Sequence, residues 1–209
     1  LNLRSIDRVA RVLSDLSGAG MDVILVSSGA VSAGRAKLGF THKPDTIEEK
    51  QALAAVGQAE LMQIYERFFS DYGRSVAQIL ITRSTVDNET SKRNVQNTVS
   101  KLLSLGCVPI VNENDTVSFE EIEFGDNDTL AAYVAVLADA DMLINLSDID
   151  GLYDSDPHCN PDAGLISHVP EITDDIRNCA GGSGSDFGTG GVVTKLHAAE
   201  IALKHGIPM

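Results

Sequence analysis

Residues 112–128 have the composition of a binding site rather than of a purely structural segment. They contain seven carboxylates and three asparagines, and no lysine or arginine is present to balance the negative charge. Like charges placed this close together repel one another, and such crowding builds no hydrophobic core. We therefore expect a cation, an ammonium group or a cationic substrate complex to make this arrangement useful.

A serine-glycine turn forms the second candidate site. Ser28 and Gly29 join a short apolar run to a helical pattern that begins near Ala30. Backbone N–H groups at the start of a helix bind anions, and glycine lets a ligand approach the backbone closely. A serine in this position also serves as an ordinary helix cap. The motif alone leaves these two interpretations equally open.

A glycine-rich stretch, residues 186–195, leads into the last helical pattern and ends on Lys195. Free N–H groups together with a lysine suit phosphate oxygens. A lysine in the first turn of a helix opposes the helix dipole by about 0.3–1 kcal/mol, which favours a ligand over a plain flexible loop. The spacing is not that of a Walker A loop, and no protein-kinase catalytic loop accompanies it.

Two short acidic motifs have part of the composition of a calcium loop, but neither has the EF-hand spacing. Residues 125–128 lack a third ligand at the right step, and in residues 148–151 the glycine comes too early. Asp128 could alternatively do no more than cap the helix that follows it. We assign no protein ligand to a metal ion, and the five histidines show no metal-binding spacing.

The overall composition excludes several classes of protein. A net charge of −14 argues against nucleic acid and anionic membranes as partners, and a hydrophobic fraction of 43% argues against disorder. Cys107, Cys159 and Cys179 have no zinc-site spacing and are typical of reduced thiols in a cytoplasmic protein. No apolar stretch reaches the roughly 18 residues of a membrane span.

Four short apolar runs, separated by helical patterns, are predicted to be strands. They are residues 23–26, 76–81, 108–111 and 142–146. Apolar strands that alternate with helices predict a mainly parallel sheet covered on both faces, which is a three-layer α/β/α sandwich. Residues 147–191 have the composition of turns, and a final helix is predicted from about Thr194 to His205.

Each polar cluster follows one of these predicted strands. Ser27 to Gly29 come after the first, Asn112 to Asp115 after the third, and Ser147 with Asp148 after the fourth. Ligands of such sheets bind at the carboxyl ends of the strands. We therefore predict that Ser28, Asp115, Asn127 and Lys195 converge on a single pocket.

With these motifs identified, the chain resembles the amino acid kinase family, and within it the glutamate 5-kinase branch. The resemblance covers essentially the whole chain in motif order. Its most specific signals are NEND at residues 112–115 and GDND at residues 125–128. The serine-glycine turn and the lysine-containing stretch at residues 188–195 are shared more widely, with acetylglutamate kinases and aspartokinases.

The resemblance implies ATP-dependent phosphorylation of the γ-carboxylate of L-glutamate, the first step of proline biosynthesis, with Mg²⁺ held mostly by ATP. It implies that Lys195 stabilises the transferring phosphoryl group and that Asp128 orients the catalytic lysines. The glutamate-binding residues would be Ser28, Gly29, Asp115 and Asn127. The nucleotide-binding residues would be Ser147, Asp148, Thr189, Gly190, Gly191, Val192, Val193, Thr194 and Lys195.

The resemblance also implies features that the sequence does not contain. The family's first strand, with a second catalytic lysine, is expected before Leu1, and its last strand after Met209. We expect residues 1–209 to be one kinase domain cut at both ends, without a PUA domain. Feedback inhibition by proline and a homo-oligomer are implied as well. The alternatives are a related kinase for aspartate or acetylglutamate, and a regulatory module that binds an amino acid without turnover.

Overall fold

The computed structural model describes residues 1–117, 127–155, 160–180 and 189–209. Within these residues the chain forms two compact units, Leu1–Asn127 and Asp128–Met209. Several predicted features lie outside the described residues. They are the central part of the acidic segment at residues 118–126, the start of the glycine-rich stretch at residues 186–188, and Cys159.

The first unit contains most of the predicted elements, with bounds close to those expected from the sequence. Its elements are α1 (Leu3–Gly18), β1 (Leu25–Val26), α2 (Ala30–Leu38), α3 (Ile47–Asp71), β2 (Val76–Ile81), α4 (Arg83–Asp87), α5 (Glu89–Ser104) and β3 (Val108–Glu113). Helix α6 (Asn127–Leu137) begins at the last residue of this unit.

The strands of the first unit form a parallel sheet in the order β1-β3-β2. Leu25 of β1 lies opposite Ile110, and Val76 of β2 lies opposite Val108. The four residues from Val108 to Val111 are all buried, so β3 is covered on both faces, as its unbroken apolar sequence predicts. The α/β fold with a parallel sheet is therefore confirmed.

One face of this sheet forms a hydrophobic core with α1 and α3. The core includes Ala10 of α1, Leu61 and Phe69 of α3, and Val108 and Ile110 of β3. Burying an aliphatic or aromatic side chain of this size contributes about 1.5–3 kcal/mol. Because Leu61, Tyr65 and Phe69 are spaced four residues apart, they lie on one side of α3 and fix its orientation on the sheet.

Helices α2 and α3 pack with their backbones in direct contact at two glycines. A Cβ atom added to Gly34 would lie 1.9 Å from the carbonyl oxygen of Leu53. A Cβ added to Gly57 would lie 1.7 Å from the carbonyl oxygen of Ala30. No other residue type fits at either position without moving one of the helices, so the glycines set the distance between α2 and α3.

The second unit contains two short strands and two further helices after α6. They are β4 (Leu152–Tyr153), β5 (Leu165–Ile166), α7 (Asp174–Ala180) and α8 (Thr189–Lys204). Strands β4 and β5 pair in antiparallel orientation within the segment that we predicted to be irregular. In the core of this unit, Ala198 and Ile201 of α8 pack with Ala132 of α6.

The fourth predicted strand, residues 142–146, is not a strand in the structure. The backbone N–H of Leu143 donates to the carbonyl oxygen of Pro208 at 2.9 Å, but no ladder with another strand forms within the described ranges. Met142, Ile144 and Leu146 are 60%, 68% and 73% exposed. An apolar run shows that a segment can be buried, whereas a strand also needs a neighbour with which to pair.

The glycine-rich stretch is also corrected by the structure. Residues 189–195 were predicted to form a nucleotide-binding loop, but α8 begins at Thr189, so these residues are helical. Glycine disfavours a helix interior by about 1 kcal/mol relative to alanine. Helix α8 nevertheless includes Gly190 and Gly191, and further along the same helix Ala198 and Ile201 pack on Ala132 of α6. None of the described helices is both long enough and apolar enough to cross a membrane.

Candidate functional site

The turn between β1 and α2 presents backbone N–H groups at the start of a helix. Gly29 is the N-cap residue of α2, and its φ of 96° lies in the left-handed region that glycine adopts without strain. As a glycine, this N-cap residue makes no side-chain capping hydrogen bond to the N–H groups at the start of the helix. Because Gly29 rather than Ser28 is the N-cap residue, the interpretation of Ser28 as an ordinary helix cap is wrong, and N–H groups at such a helix start are of the kind that bind anions.

Ser27, just before this turn, is fixed from two sides. Its backbone N–H donates to the carbonyl oxygen of Val111 at 2.9 Å, and its hydroxyl lies 2.8 Å from the hydroxyl of Tyr65. Both hydroxyls are buried, and burial raises the pKa of the Tyr65 phenol. The phenol therefore stays neutral at physiological pH and serves as a hydrogen-bonding group.

Asn127 is joined to the end of β1 and to β3 by a chain of side-chain amides. Its Nδ2 donates to the carbonyl oxygen of Ser27 and, at 3.1 Å, to Oδ1 of Asn112. The Nδ2 of Asn112 donates in turn to Oε1 of Gln58 at 2.9 Å. Asn112 lies inside β3, which extends two residues beyond the predicted strand, so its side chain is held by the sheet.

Asp115 follows β3 in a turn and carries a partly buried carboxylate. Burial raises the pKa of the Asp115 carboxyl above its usual value. Among the described residues, no lysine, arginine or histidine forms an ion pair with it. A carboxylate that has lost water without gaining a cation is suited to an incoming positive group, because that group would supply the missing charge.

In the second unit, Asp128 is the centre of a cluster of side chains. Its carboxylate accepts from Nζ of Lys195 at 2.8 Å, from Nδ2 of Asn145 at 2.5 Å and from Oγ1 of Thr194 at 3.4 Å. Asp128 lies in the first turn of α6, where the helix dipole favours a negative charge. It is therefore more than a helix cap.

Lys195 lies in the second turn of α8 rather than the first, since the helix begins at Thr189. The argument that Lys195 opposes the helix dipole therefore does not apply, because the dipole acts within the first turn. The structure instead gives Lys195 a specific partner, the carboxylate of Asp128. Both side chains of this pair are partly exposed. The Asp128 carboxylate therefore orients the Lys195 ammonium group while that group stays accessible to a ligand.

The remaining predicted nucleotide residues lie in two separate segments of the second unit. The hydroxyl of Ser147 donates to Oδ1 of Asp148 at 3.2 Å, and both residues are exposed. Residues 189–195 form the beginning of α8. Within the described ranges, no three His, Cys, Asp or Glu side chains are grouped to hold a metal ion. The convergence of Ser28, Asp115, Asn127 and Lys195 on one pocket stays a prediction.

Sequence reasoning missed the residues that support these groups. Gln58, Tyr65 and Asn145 were not singled out, although each bonds to a residue of a predicted cluster or to its neighbour. One signal was available, since Gln58 and Tyr65 are polar groups on the same side of α3 as the apolar Leu61 and Phe69. Asn145 had no comparable signal because it lies in the segment that was predicted to be a strand.

A family model matches almost the whole chain. It describes the amino acid kinase family, and it matches residues 2–209. The chain belongs to the amino acid kinase family. The resemblance that its motifs indicated is thereby confirmed, and the α/β sandwich expected for the family agrees with the parallel sheet.

Curated relatives of the chain are glutamate 5-kinases. The glutamate 5-kinase of Clostridium perfringens is 54% identical, with 100% of this chain and 79% of that protein covered. The glutamate 5-kinase of Clostridium acetobutylicum is 55% identical, with 100% and 78% covered. The glutamate 5-kinase of Listeria innocua is 53% identical, with 97% and 75% covered. These similarities place the chain in the glutamate 5-kinase branch of the family.

Proposed function

We propose that the chain catalyses ATP-dependent phosphorylation of the γ-carboxylate of L-glutamate to L-glutamyl 5-phosphate, the first step of proline biosynthesis. Similarity to glutamate 5-kinases at 53–55% identity supports the reaction and the substrate. The observation in the structure that carries the proposal is the Lys195 ammonium group held 2.8 Å from the Asp128 carboxylate. A module that only binds an amino acid has no need of an oriented lysine of this kind.

The chemistry asks for positioning and charge neutralisation rather than proton transfer. A γ-carboxylate, with a pKa of about 4.3, is already ionised at pH 7, so no general base is required. Lys195 would stabilise the negative charge on the transferring phosphoryl oxygens. Asp128 would hold the Lys195 ammonium group in place, and Asn145 would hold Asp128.

Residues of the first unit would bind the amino acid. The N–H groups of the Ser28-Gly29 turn suit the γ-carboxylate. The partly buried carboxylate of Asp115 suits the ammonium group of the substrate. Among the described residues, Asn127 donates through Nδ2 to two acceptors, and its Oδ1 would accept from the same ammonium group.

Residues of the second unit would bind the nucleotide. Lys195 and the start of α8 would contact phosphate oxygens, and Ser147 with Asp148 would complete the site. Mg²⁺ would be held mainly by the phosphate oxygens of ATP and by water, as is usual for this ion. We assign it no protein ligand.

Other features remain part of this proposal. The expected cytoplasmic location is supported by Cys107 and Cys179, which are free thiols. A homo-oligomer, inhibition by proline, the single kinase domain and a second catalytic lysine before Leu1 stay predictions of the resemblance.

A substrate panel tests the proposal and its main alternative. The full-length protein would be assayed for acyl phosphate with ATP and, in turn, L-glutamate, L-aspartate and N-acetyl-L-glutamate. We expect efficient turnover of L-glutamate alone. Preference for either of the other acids would assign the chain to a related kinase. Binding of L-glutamate without any acyl phosphate would instead indicate a regulatory module.

A further inference from the structure

Helix α3 carries a polar side chain, Gln58, in the middle of its buried side. Gln58 is 8% exposed, and the apolar Leu61 follows it almost one turn later on the same side of the helix. The Nε2 atom of Gln58 is buried and has no hydrogen-bond partner among the described residues. A buried amide donor without a partner destabilises a fold, so this position carries a cost that an apolar side chain would avoid.

The direction of the amide chain explains why Nε2 of Gln58 is left over. The carbonyl oxygen of Ser27 can only accept, so Asn127 must turn Nδ2 toward it. The same Nδ2 donates to Asn112, so Asn112 must present Oδ1 to Asn127 and Nδ2 to Gln58. Gln58 must then present Oε1, and its own Nε2 points away from the chain. Each amide is oriented by its neighbours.

The same direction fixes which atom of Asn127 is available to a ligand. Nδ2 is committed to Ser27 and Asn112, so within the part of the chain that the structure describes Oδ1 is the group left for a ligand, and it is an acceptor. If Gln58 offered no acceptor, Asn112 could rotate its amide and present Nδ2 to Asn127. Asn127 would then lose a partner for its own Nδ2, and its orientation would no longer be determined from both sides.

We propose that Gln58 is a positioning residue which acts through Asn112 to hold Asn127 with Oδ1 directed to the ammonium group of the amino acid substrate. This inference rests on the proposed function. Gln58 contacts Asn112 rather than the substrate, so its removal should weaken amino acid binding selectively. The buried Nε2 of Gln58, which has no hydrogen-bond partner among the described residues, is consistent with a positioning role. Packing alone would favour an apolar side chain here, yet the amide is present.

The test is the variant Gln58→Met in the full-length protein, which keeps the length of the side chain and removes the acceptor. We expect KM for L-glutamate to rise about 5- to 20-fold, as for the loss of one buried hydrogen bond. KM for ATP and kcat should stay within about twofold, and Tm should not fall by more than about 2 °C because the unpaired donor is also removed. Gln58→Glu retains an acceptor oxygen for Asn112 and should restore most of the glutamate affinity.

A matched control and a double-mutant cycle complete the design. Gln63→Met makes the same chemical change on the exposed side of α3 and should leave all parameters unchanged. In an Asn112→Leu background, Gln58→Met should add less than about twofold to KM for L-glutamate, because the route to Asn127 is already broken. Independent effects of the two substitutions would overturn the proposed route.

The possible outcomes separate this inference from the proposed function. Absence of glutamate-dependent acyl phosphate from the unmodified protein would refute the proposed function itself. An active protein whose Gln58→Met variant keeps its KM for L-glutamate would refute the inference alone. Equal increases in both KM values together with a lower Tm would show that Gln58 is merely structural, and would overturn it as well.

Discussion

Lys195 shows what residue types and spacing can predict and what they cannot. Motif resemblance predicted catalytic roles for Lys195 and Asp128, and in the structure Nζ of Lys195 lies 2.8 Å from Oδ2 of Asp128. The supporting contact from Asn145 was not predictable, because it depends on how residues 142–146 pack rather than on any local pattern. Gln58 and Tyr65 form hydrogen bonds across 54 and 38 residues, which no local pattern predicts, although their position on the buried side of α3 was a signal that they have polar partners.

Replacing Lys195 by alanine should separate catalysis from folding. We expect kcat to fall by about 10²- to 10³-fold, because a charge that stabilises the transition state is lost. The pair with Asp128 is partly exposed, so its loss should change the free energy of unfolding by no more than about 1 kcal/mol. Acyl phosphate formation and thermal melting measure the two effects. Lys204→Ala at the exposed end of α8 is the matched control, and near-normal kcat for Lys195→Ala would remove Lys195 from the mechanism.

Asp115→Asn should make the protein more stable at neutral pH while weakening glutamate binding. Burial raises the folded-state pKa of Asp115, so ionisation is harder in the folded protein than in the unfolded chain. The resulting loss of stability begins as pH rises past the unfolded pKa of about 3.9, and it is complete above the raised folded pKa.

The variant should therefore melt at a higher temperature than the unmodified protein at pH 7, with the difference disappearing below about pH 3. KM for L-glutamate should rise at least about tenfold at pH 7, because a charged hydrogen bond to the ammonium group is lost. Melting curves across this pH range and steady-state kinetics measure the two effects. A lower Tm at pH 7 would show that a group in the protein stabilises the ionised carboxylate.

At the scale of elements, periodicity predicted helices and buried strands well where each element has partners nearby. Strand β2 has the bounds that were predicted, and β3 differs only at its end. The two errors have a common physical origin. Residues 142–146 and the start of α8 were assigned from composition, whereas strand pairing in the first case and helix packing in the second decided the outcome.

The contact between α2 and α3 predicts a cost for adding a single methyl group. In Gly57→Ala, the new Cβ would lie 1.7 Å from the carbonyl oxygen of Ala30, so α2 must move away. We expect a loss of about 1–3 kcal/mol in the free energy of unfolding. Because Ala30 begins α2 directly after the Ser28-Gly29 turn, KM for L-glutamate should rise as well.

Denaturant unfolding and kinetics test this prediction, and Gly18→Ala provides the control. There the nearest atom to the new Cβ is the end of the flexible Arg74 side chain, at 3.2 Å. That variant should therefore be tolerated. If Gly57→Ala were equally well tolerated, the two helices would not be held at the distance that the glycines set.

At the scale of the whole molecule, the two compact units divide the proposed tasks between them. The residues proposed to bind the amino acid belong to the first unit, and Asp128, Asn145 and Lys195 belong to the second. This division was not predicted from the sequence, which we interpreted as a single kinase domain. Because each ligand is assigned to a different unit, the stabilisation of the protein by each ligand can be measured separately.

Hydrogen exchange of the full-length protein should report this division. L-glutamate alone should slow amide exchange in the first unit, at the beginning of α2 and around residues 112–115. A non-hydrolysable ATP analogue alone should slow exchange in the second unit, at the beginning of α8. Ligand binding slows exchange by stabilising the regions that it contacts. Protection of α2 by the nucleotide alone would contradict the assignment of ligands to units.

Gly29 also shows that the turn before α2 depends on chirality rather than on small size. An L-alanine Cβ at Gly29 would have room, because its nearest neighbour, Cδ2 of Leu1, would be 3.8 Å away. The obstacle is the backbone, whose φ of 96° is strained for any L-residue. A mirror-image amino acid prefers this sign of φ, so D-alanine introduced by chemical ligation should preserve the turn that L-alanine distorts.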